Sequence, residues 1–406
     1  MLYADFSKIT PDVIELFQNL KMDFSRFFQF LAVTYGVELY PRESLIVFDE
    51  VQRFPPAREL IKHLVADGRF DYIESGSLLS IRQNVADIVI PSEEEGYRLN
   101  PLDFEEFLWA SGEKPLADLI RQSFEAGEPL PQALHKKASI RFREYMLTGG
   151  MPGVVDVYMK NHSFSEADEA KRQILHLYRQ DVARFAEGCR DRVIEIFDRI
   201  PGELSKHEKR FSLASLQKNA RMRTYEEAFF WLTDAQITTP CWAADDPSVG
   251  LALSERSSAM KCYMADTGLL VTQVLSDSAY TGENVYRAVL LGRLGLNEGM
   301  LTENIVAQTL MAKGDRLYFY SQSGKIEGEE RMEIDFLIIR PWKKASGCPR
   351  VMPIEVKSGS KYSTVSLDRF REKFSHRTGT ACVIHPGQLR SSDELIELPL
   401  YMAHCL

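Results

Sequence analysis

Four successive apolar residues, Leu45-Ile46-Val47-Phe48, run straight into two acids, Asp49-Glu50. A strand with one wet face alternates apolar and polar residues. A short unbroken run fits a strand covered on both faces, as in a parallel sheet. The surrounding pattern agrees. Residues 2–6 read as a short strand, residues 11–35 as helical, Ala57 to Ala66 as a helix and Tyr72-Ile73-Glu74-Ser75 as another strand. Alternating strands and helices predict an α/β domain over about residues 1–110.

The chain of 406 residues is long enough for two or three such units. Residues 111–200 read as mainly helical, broken at Gly149-Gly150-Met151-Pro152-Gly153. Residues 201–280 read as short helices followed by a strand at Ile237-Thr238-Thr239. From 281 to 406, a helix from Glu303 to Met311 precedes strand-like runs Leu317–Tyr320, Ile334–Ile339 and Val351–Val356. No apolar run approaches the roughly 20 residues of a membrane helix, and Met1-Leu2-Tyr3 opens no signal peptide, so the expectation is a cytoplasmic protein with no membrane contact. The six cysteines, at 189, 241, 262, 348, 382 and 405, form no Cys-x-x-Cys pair and read as scattered reduced thiols.

The acids at the carboxyl end of the Leu45–Phe48 strand project where open α/β sheets bind ligands. Asp49 is placed to hold Mg²⁺, and Glu50 to orient or deprotonate an attacking water. Ser75 and Ser77, in the turn after the next strand, are placed to sense a phosphate. Alone, a buried strand that ends in charges at the surface would look the same.

A second constellation lies downstream. Asp335 opens a strand-like run, and nineteen residues later Ile354-Glu355-Val356-Lys357 puts Glu355 and Lys357 on one strand face. Glu303, on the preceding helix, can reach the same point. Such carboxylates bind Mg²⁺, and a lysine beside them positions or activates a water against a phosphodiester. The competing reading is unrelated surface charge. A third feature is a basic cluster, Lys206, Lys209, Arg210, Lys218, Arg221 and Arg223, in a chain of net charge −9. Phe211 to Ala220 and Thr224 to Gln236 read as two helices, the second with Thr224 as N-cap and Glu227 completing a capping box. Basic side chains there would meet nucleic-acid phosphates, although Glu226 and Glu227 on the second helix oppose this. Asp266, in Ala265-Asp266-Thr267-Gly268, reads as a turn or cap residue.

The order of these segments, together with Asp49-Glu50-Val51-Gln52, Pro101-Leu102-Asp103-Phe104-Glu105-Glu106-Phe107-Leu108 and Arg143-Glu144-Tyr145-Met146-Leu147-Thr148-Gly149-Gly150-Met151-Pro152, resembles bacterial AAA-type ATPases with a C-terminal DUF4143, restriction-endonuclease-like domain. The resemblance spans nearly the whole chain. It implies an incomplete AAA-type parallel sheet resembling a P-loop domain, a helical extension, a winged-helix-like connector and a C-terminal restriction-endonuclease-like α/β domain. It also implies ATP and Mg²⁺ as cofactors. Yet no Gly-Lys-Ser/Thr occurs in the sequence; Gly324-Lys325 is followed by Ile326. In the family that phosphate-cradling loop precedes the segment seen here at Leu2-Tyr3-Ala4-Asp5, so the chain reads as an N-terminally shortened or degenerate member with impaired ATP binding. Three functions follow: a nucleic-acid-associated AAA-family protein, a non-enzymatic nucleic-acid or protein binding module, and a Mg²⁺-dependent nuclease that works without ATP. The sequence names no protein partner.

Overall fold

The computed structural model describes residues 1–18, 23–76, 94–186, 188–206, 208–216, 221–276, 281–293, 297–322, 331–341 and 347–406. It divides into two compact units, Met1–Leu99 and Asn100–Leu406.

In the first unit, β1 (Leu2–Asp5), β2 (Leu45–Asp49) and β3 (Asp71–Glu74) form a parallel sheet in that order. The register pairs Asp5 with Asp49 and Phe48 with Glu74, so the acidic end of β2 is flanked by both neighbours. The stretch expected as helical over 11–35 is two helices, α1 (Pro11–Gln18) and α2 (Phe24–Tyr35). Asp23 caps the second, accepting from Ser25 N, and Gly36, at φ +63°, closes it. Helix α3 (Pro55–Asp67) starts on two prolines, which lose no helical hydrogen bond in the first turn. Phe6, Phe17, Phe27, Phe28, Phe48, Phe54 and Phe70 are buried together against Leu2, Ala4 and Ile46. The strand β2 departs from expectation. Ile46 and Phe48 are buried, whereas Leu45, Val47 and Asp49 are only half-buried, so among the described residues one face is sealed rather than both. The helices α1, α2 and α3 supply the core residues that seal it.

The second unit begins with helices. Asp103 and Glu106 form a reciprocal capping box at the start of α4 (Phe104–Ala110). Then come α5 (Lys114–Ala126), α6 (Gln132–Thr148), α7 (Pro152–Asn161), α8 (Phe164–Phe185) and α9 (Arg190–Leu204). The glycines between α6 and α7 have a steric reason. A Cβ on Gly150 would lie 2.2 Å from the Leu102 carbonyl oxygen, and Gly149 holds φ +86°.

The expected helix over Phe211–Ala220 is instead a short 3-10 turn at Leu213–Ser215, with 217–220 outside the described residues. Phe211 leaves helical geometry because its N–H donates to Met260 O at 2.8 Å, while its ring meets Phe229 edge-on. The next helix, α10, runs Met222–Asp234, so Arg221 rather than Thr224 is the N-cap. Thr224 lies inside the first turn and its carbonyl accepts from Arg192 at 2.6 Å. The expected Thr224–Glu227 capping box is therefore not formed: Thr224 is not the cap.

An eight-stranded mixed sheet follows, in the order β10-β11-β9-β8-β7-β6-β4-β5. Its members are β4 (Thr238–Ala244), β5 (Glu255–Met264), β6 (Leu317–Gln322), β7 (Met332–Pro341), β8 (Pro349–Val356), β9 (Ala381–His385), β10 (Arg390–Ser391) and β11 (Leu395–Pro399). The strands of the segment expected as a winged-helix-like connector thus join the same sheet as the C-terminal strands, β4 running parallel to β6. Between them lie α11 (Thr267–Val274), α12 (Glu283–Leu290) and α13 (Glu298–Ala312), with α14 (Val365–Lys373) crossing from β8 to the parallel β9. Every residue of α13 from Met300 to Leu310 is buried, with apolar and polar side chains on all sides. A helix buried all round has to satisfy each polar group internally. Asn304 holds Met264 N and O, and Gln308 accepts from the Thr267 N–H and hydroxyl. No helix among the described residues is long and apolar enough to cross a membrane.

Candidate functional site

Two groups of acids stand out, one in each unit. At the carboxyl end of β2, Asp49 Oδ1 accepts from the Glu50 N–H at 3.0 Å. The hydroxyls of Tyr3, on β1, and of Ser75, just after β3, also hydrogen-bond its carboxylate. These donors, Ser75 foremost, hold Asp49 below the usual carboxylate pKa, and the Tyr3 hydroxyl is pushed up to about 12 by its bond to Asp49. Ser75 is fixed in turn: its N–H donates to Phe48 O at 2.9 Å and its carbonyl accepts from Val51 N at 3.1 Å. Glu50 adopts the left-handed backbone at φ +56° and ψ +38°, which turns the chain away from the strand. Its side chain pairs with Arg53 at 3.2 Å. Ser77 lies outside the described residues.

The second group surrounds Lys261, which is 1% exposed on β5. Its Nζ lies 3.0 Å from Glu303 Oε1, 3.4 Å from Asp335 Oδ1 and 3.4 Å from Glu333 Oε1. Burial alone would favour the neutral amine. The carboxylates of Glu303, Asp335 and Glu333 outweigh it and hold the ammonium well above its ordinary pKa. Glu303 is penalised by its own burial. The ammoniums of Lys261 and Lys209 overcome this and bring it down to about 2. Lys209 Nζ also donates to Gly299 O at 3.1 Å, and the buried Tyr263 hydroxyl hydrogen-bonds Glu303. Asp335 is raised by burial and by the neighbouring Glu303 charge, even though its Oδ2 accepts from Val356 N at 2.9 Å. Glu355 is likewise raised, first by burial; its Oε2 lies 2.9 Å from Lys357 Nζ.

Glu303, Asp335, Glu355 and Lys357 therefore sit in one neighbourhood, on α13, β7 and β8 or, for Lys357, just after it. Sequence reasoning missed Lys261, Tyr263 and Glu333, and assigned Lys209 to a different surface. A signal existed for the first two. In Met260-Lys261-Cys262-Tyr263-Met264 the lysine is the only charge in an apolar run at the end of the strand, and alternation puts Lys261 and Tyr263 on one face. Lys206 pairs with Glu203, Arg210, Arg221 and Arg223 are exposed, and Lys218 lies outside the described residues. Asp266 caps α11 as expected, accepting from Leu269 N at 2.9 Å, and its Oδ2 also accepts from Gly150 N at 2.6 Å.

The two groups differ in whether a divalent cation fits. Asp49 and the Ser75 hydroxyl are neighbouring hard oxygen donors of the kind Mg²⁺ takes, and only neutral groups would have to yield. Around Lys261 the carboxylate oxygens stand 3.0–3.4 Å from a common nitrogen. That spacing suits N–H···O contacts, whereas Mg²⁺ requires about 2.0–2.1 Å. Among the described residues no group of three or more His, Cys, Asp or Glu is arranged to hold a metal.

Residues 1–108 match the family model described as an AAA domain. Residues 298–401 match a domain of unknown function, DUF4143, and residues 139–279 match another, DUF8612. No curated protein and no solved structure matches the chain.

Proposed function

We propose that this chain, which carries an AAA-type domain followed by a DUF4143 domain, uses the carboxyl end of β2 as the acidic side of a Mg²⁺–nucleotide site. The observation that carries this reading is the convergence on Asp49 of hydroxyls from either side, Tyr3 on β1 and Ser75 just after β3. When bound, Mg²⁺ would supply charge neutralisation to the nucleotide phosphates. Asp49 would hold it directly or through water, with the Ser75 hydroxyl orienting Asp49. Glu50, turned out by its left-handed backbone, would take the proton of an attacking water only where a phosphate-binding loop also holds the nucleotide. The 406 residues contain no Gly-Lys-Ser/Thr loop, so on this reading they bind ATP weakly and do not hydrolyse it.

A fluorescent ATP analogue titrated into the chain tests this. Weak, Mg²⁺-dependent binding that Asp49→Asn lowers at least tenfold is expected. Affinity indifferent to Asp49→Asn would overturn the site, and steady hydrolysis abolished by Glu50→Gln would overturn the claim of inactivity.

Nucleic acid is the partner we propose for the second unit, through the exposed Arg210, Arg221 and Arg223. Binding through phosphates should fall steeply with salt and be weakened by alanine at all three positions.

A further inference from the structure

The acids of the second unit demand a cation. Glu303 is 3% exposed and Glu355 2%, and Glu333 and Asp335 approach the same ammonium as Glu303. Ionised carboxylates this close together in a poorly solvated site repel one another unless a positive charge lies between them. A bound divalent ion is one solution. The chain has another, built into β5.

We propose that the Lys261 ammonium permanently takes the place of a divalent cation in this cluster, so the C-terminal domain neither binds Mg²⁺ there nor cleaves phosphodiesters with it. Four observations carry this. The ammonium lies within 3.4 Å of three carboxylates, between the helix and strand that present them. It is shut from solvent, with the Phe319 ring centroid 5.2 Å away, so it has no water-filled position to retreat to. The far carboxylate oxygen of Glu303 is taken by a second lysine, Lys209, and Tyr263 contacts the near one. Finally, Asp335 spends Oδ2 on the Val356 N–H. A metal would have to expel a buried charge and break each of these contacts. Glu355 and Lys357 form a pair beside the cluster, where Lys357 neutralises a carboxylate rather than activating a water.

The cluster is thus a metal-free centre that ties β5 to α13 and β7. Lys261 is a positioning residue. Its removal should do more than loosen the core: it should leave Glu303, Glu333 and Asp335 repelling one another, a defect relieved by protons.

The test uses the full chain. In wild type, Mn²⁺ titration should show no binding that Glu303→Gln removes, and the difference in thermal unfolding between EDTA and excess Mn²⁺ should be the same in wild type and Glu303→Gln. Lys261→Met should lower the melting temperature by several degrees at pH 7, and this loss relative to wild type should shrink as pH falls towards 5. The double variant Lys261→Met/Glu303→Gln should recover part of the loss, and it keeps the comparison open if the single variant does not fold. One Mn²⁺ bound per wild-type chain and lost in Glu303→Gln would overturn the proposal. So would Mg²⁺-dependent nicking of DNA lost in Glu355→Gln, or a Lys261→Met variant with unchanged stability and pH profile.

Discussion

The acids of the first unit and those of the second are satisfied in opposite ways. Asp49 is held by neutral hydroxyls at a half-open strand end, whereas Glu303 is held by two ammoniums in the interior. Neutral donors lower a carboxylate's pKa without cancelling its charge, so Asp49 still attracts a cation. Ammoniums cancel the charge, and the same residue type becomes part of the core. Matching acids on matching strands therefore do not imply matching chemistry; what decides it is whether the counter-charge comes from solution or from the chain.

Glu303→Gln probes that difference most severely. It leaves Lys209 and Lys261 short of a partner, and breaking one side of a buried pair typically costs about 3–5 kcal/mol. A loss of that size is expected in urea unfolding, while Asp49→Asn should change stability by less than about 1 kcal/mol. Equal losses would erase the contrast.

Acid titration comes next. The folded pKa of Glu303, lowered to about 2, lies below its unfolded value. Its stabilisation is then present above about pH 4.5 and is lost as pH falls towards 2, amounting to about 3 kcal/mol. Unfolding measured across this window should show a steep acid limb that Glu303→Gln flattens.

Lys171 sharpens the contrast from within the second unit. It is also 1% exposed, but it donates to the Leu147 carbonyl at 2.7 Å rather than to a carboxylate, and burial lowers it to about 8. A depressed lysine opposes folding while protonated, so stability should rise between pH 8 and about 10.5. Lys261 has the reverse sign: its raised pKa gives stability that is complete below the unfolded value and fades only above it. Lys171→Met should abolish the alkaline rise and stabilise the neutral protein by about 1–2 kcal/mol, after the lost hydrogen bond is counted.

The smallest effect is expected for Ser75→Ala. It removes one donor from a partly solvated Asp49 and should cost about 0.5–1 kcal/mol. A chemical-shift titration should also find the Asp49 pKa moved upward. No movement would mean that the hydroxyl does not orient the acid.

The strands and their acids were readable because each announces itself locally. An apolar run ending in Asp-Glu marks β2, the apolar Phe336–Ile339 follows directly on Asp335, and β8 shows apolar residues around a single acid, Glu355. The helix at 222–234 was legible from Tyr225, Ala228, Phe229 and Leu232, although its cap was displaced from Thr224 to Arg221. What stayed hidden depends on residues distant in sequence. Lys209 looks like any member of a basic cluster until its contact 94 positions away, with Glu303, is known. The 3-10 turn at Leu213–Ser215 likewise follows from the tie between Phe211 and Met260, which no local pattern announces.

The hairpin of β4 and β5 has a practical consequence for anyone dividing this protein. Because β4 zips onto β6, and β5 delivers both Lys261 and Tyr263, a fragment cut near residue 281 would bare the flank of β6 and leave Glu303 with neither companion from β5. Such a piece should misfold or clump in the test tube. An expression boundary near Asn100, by contrast, leaves the sheet whole.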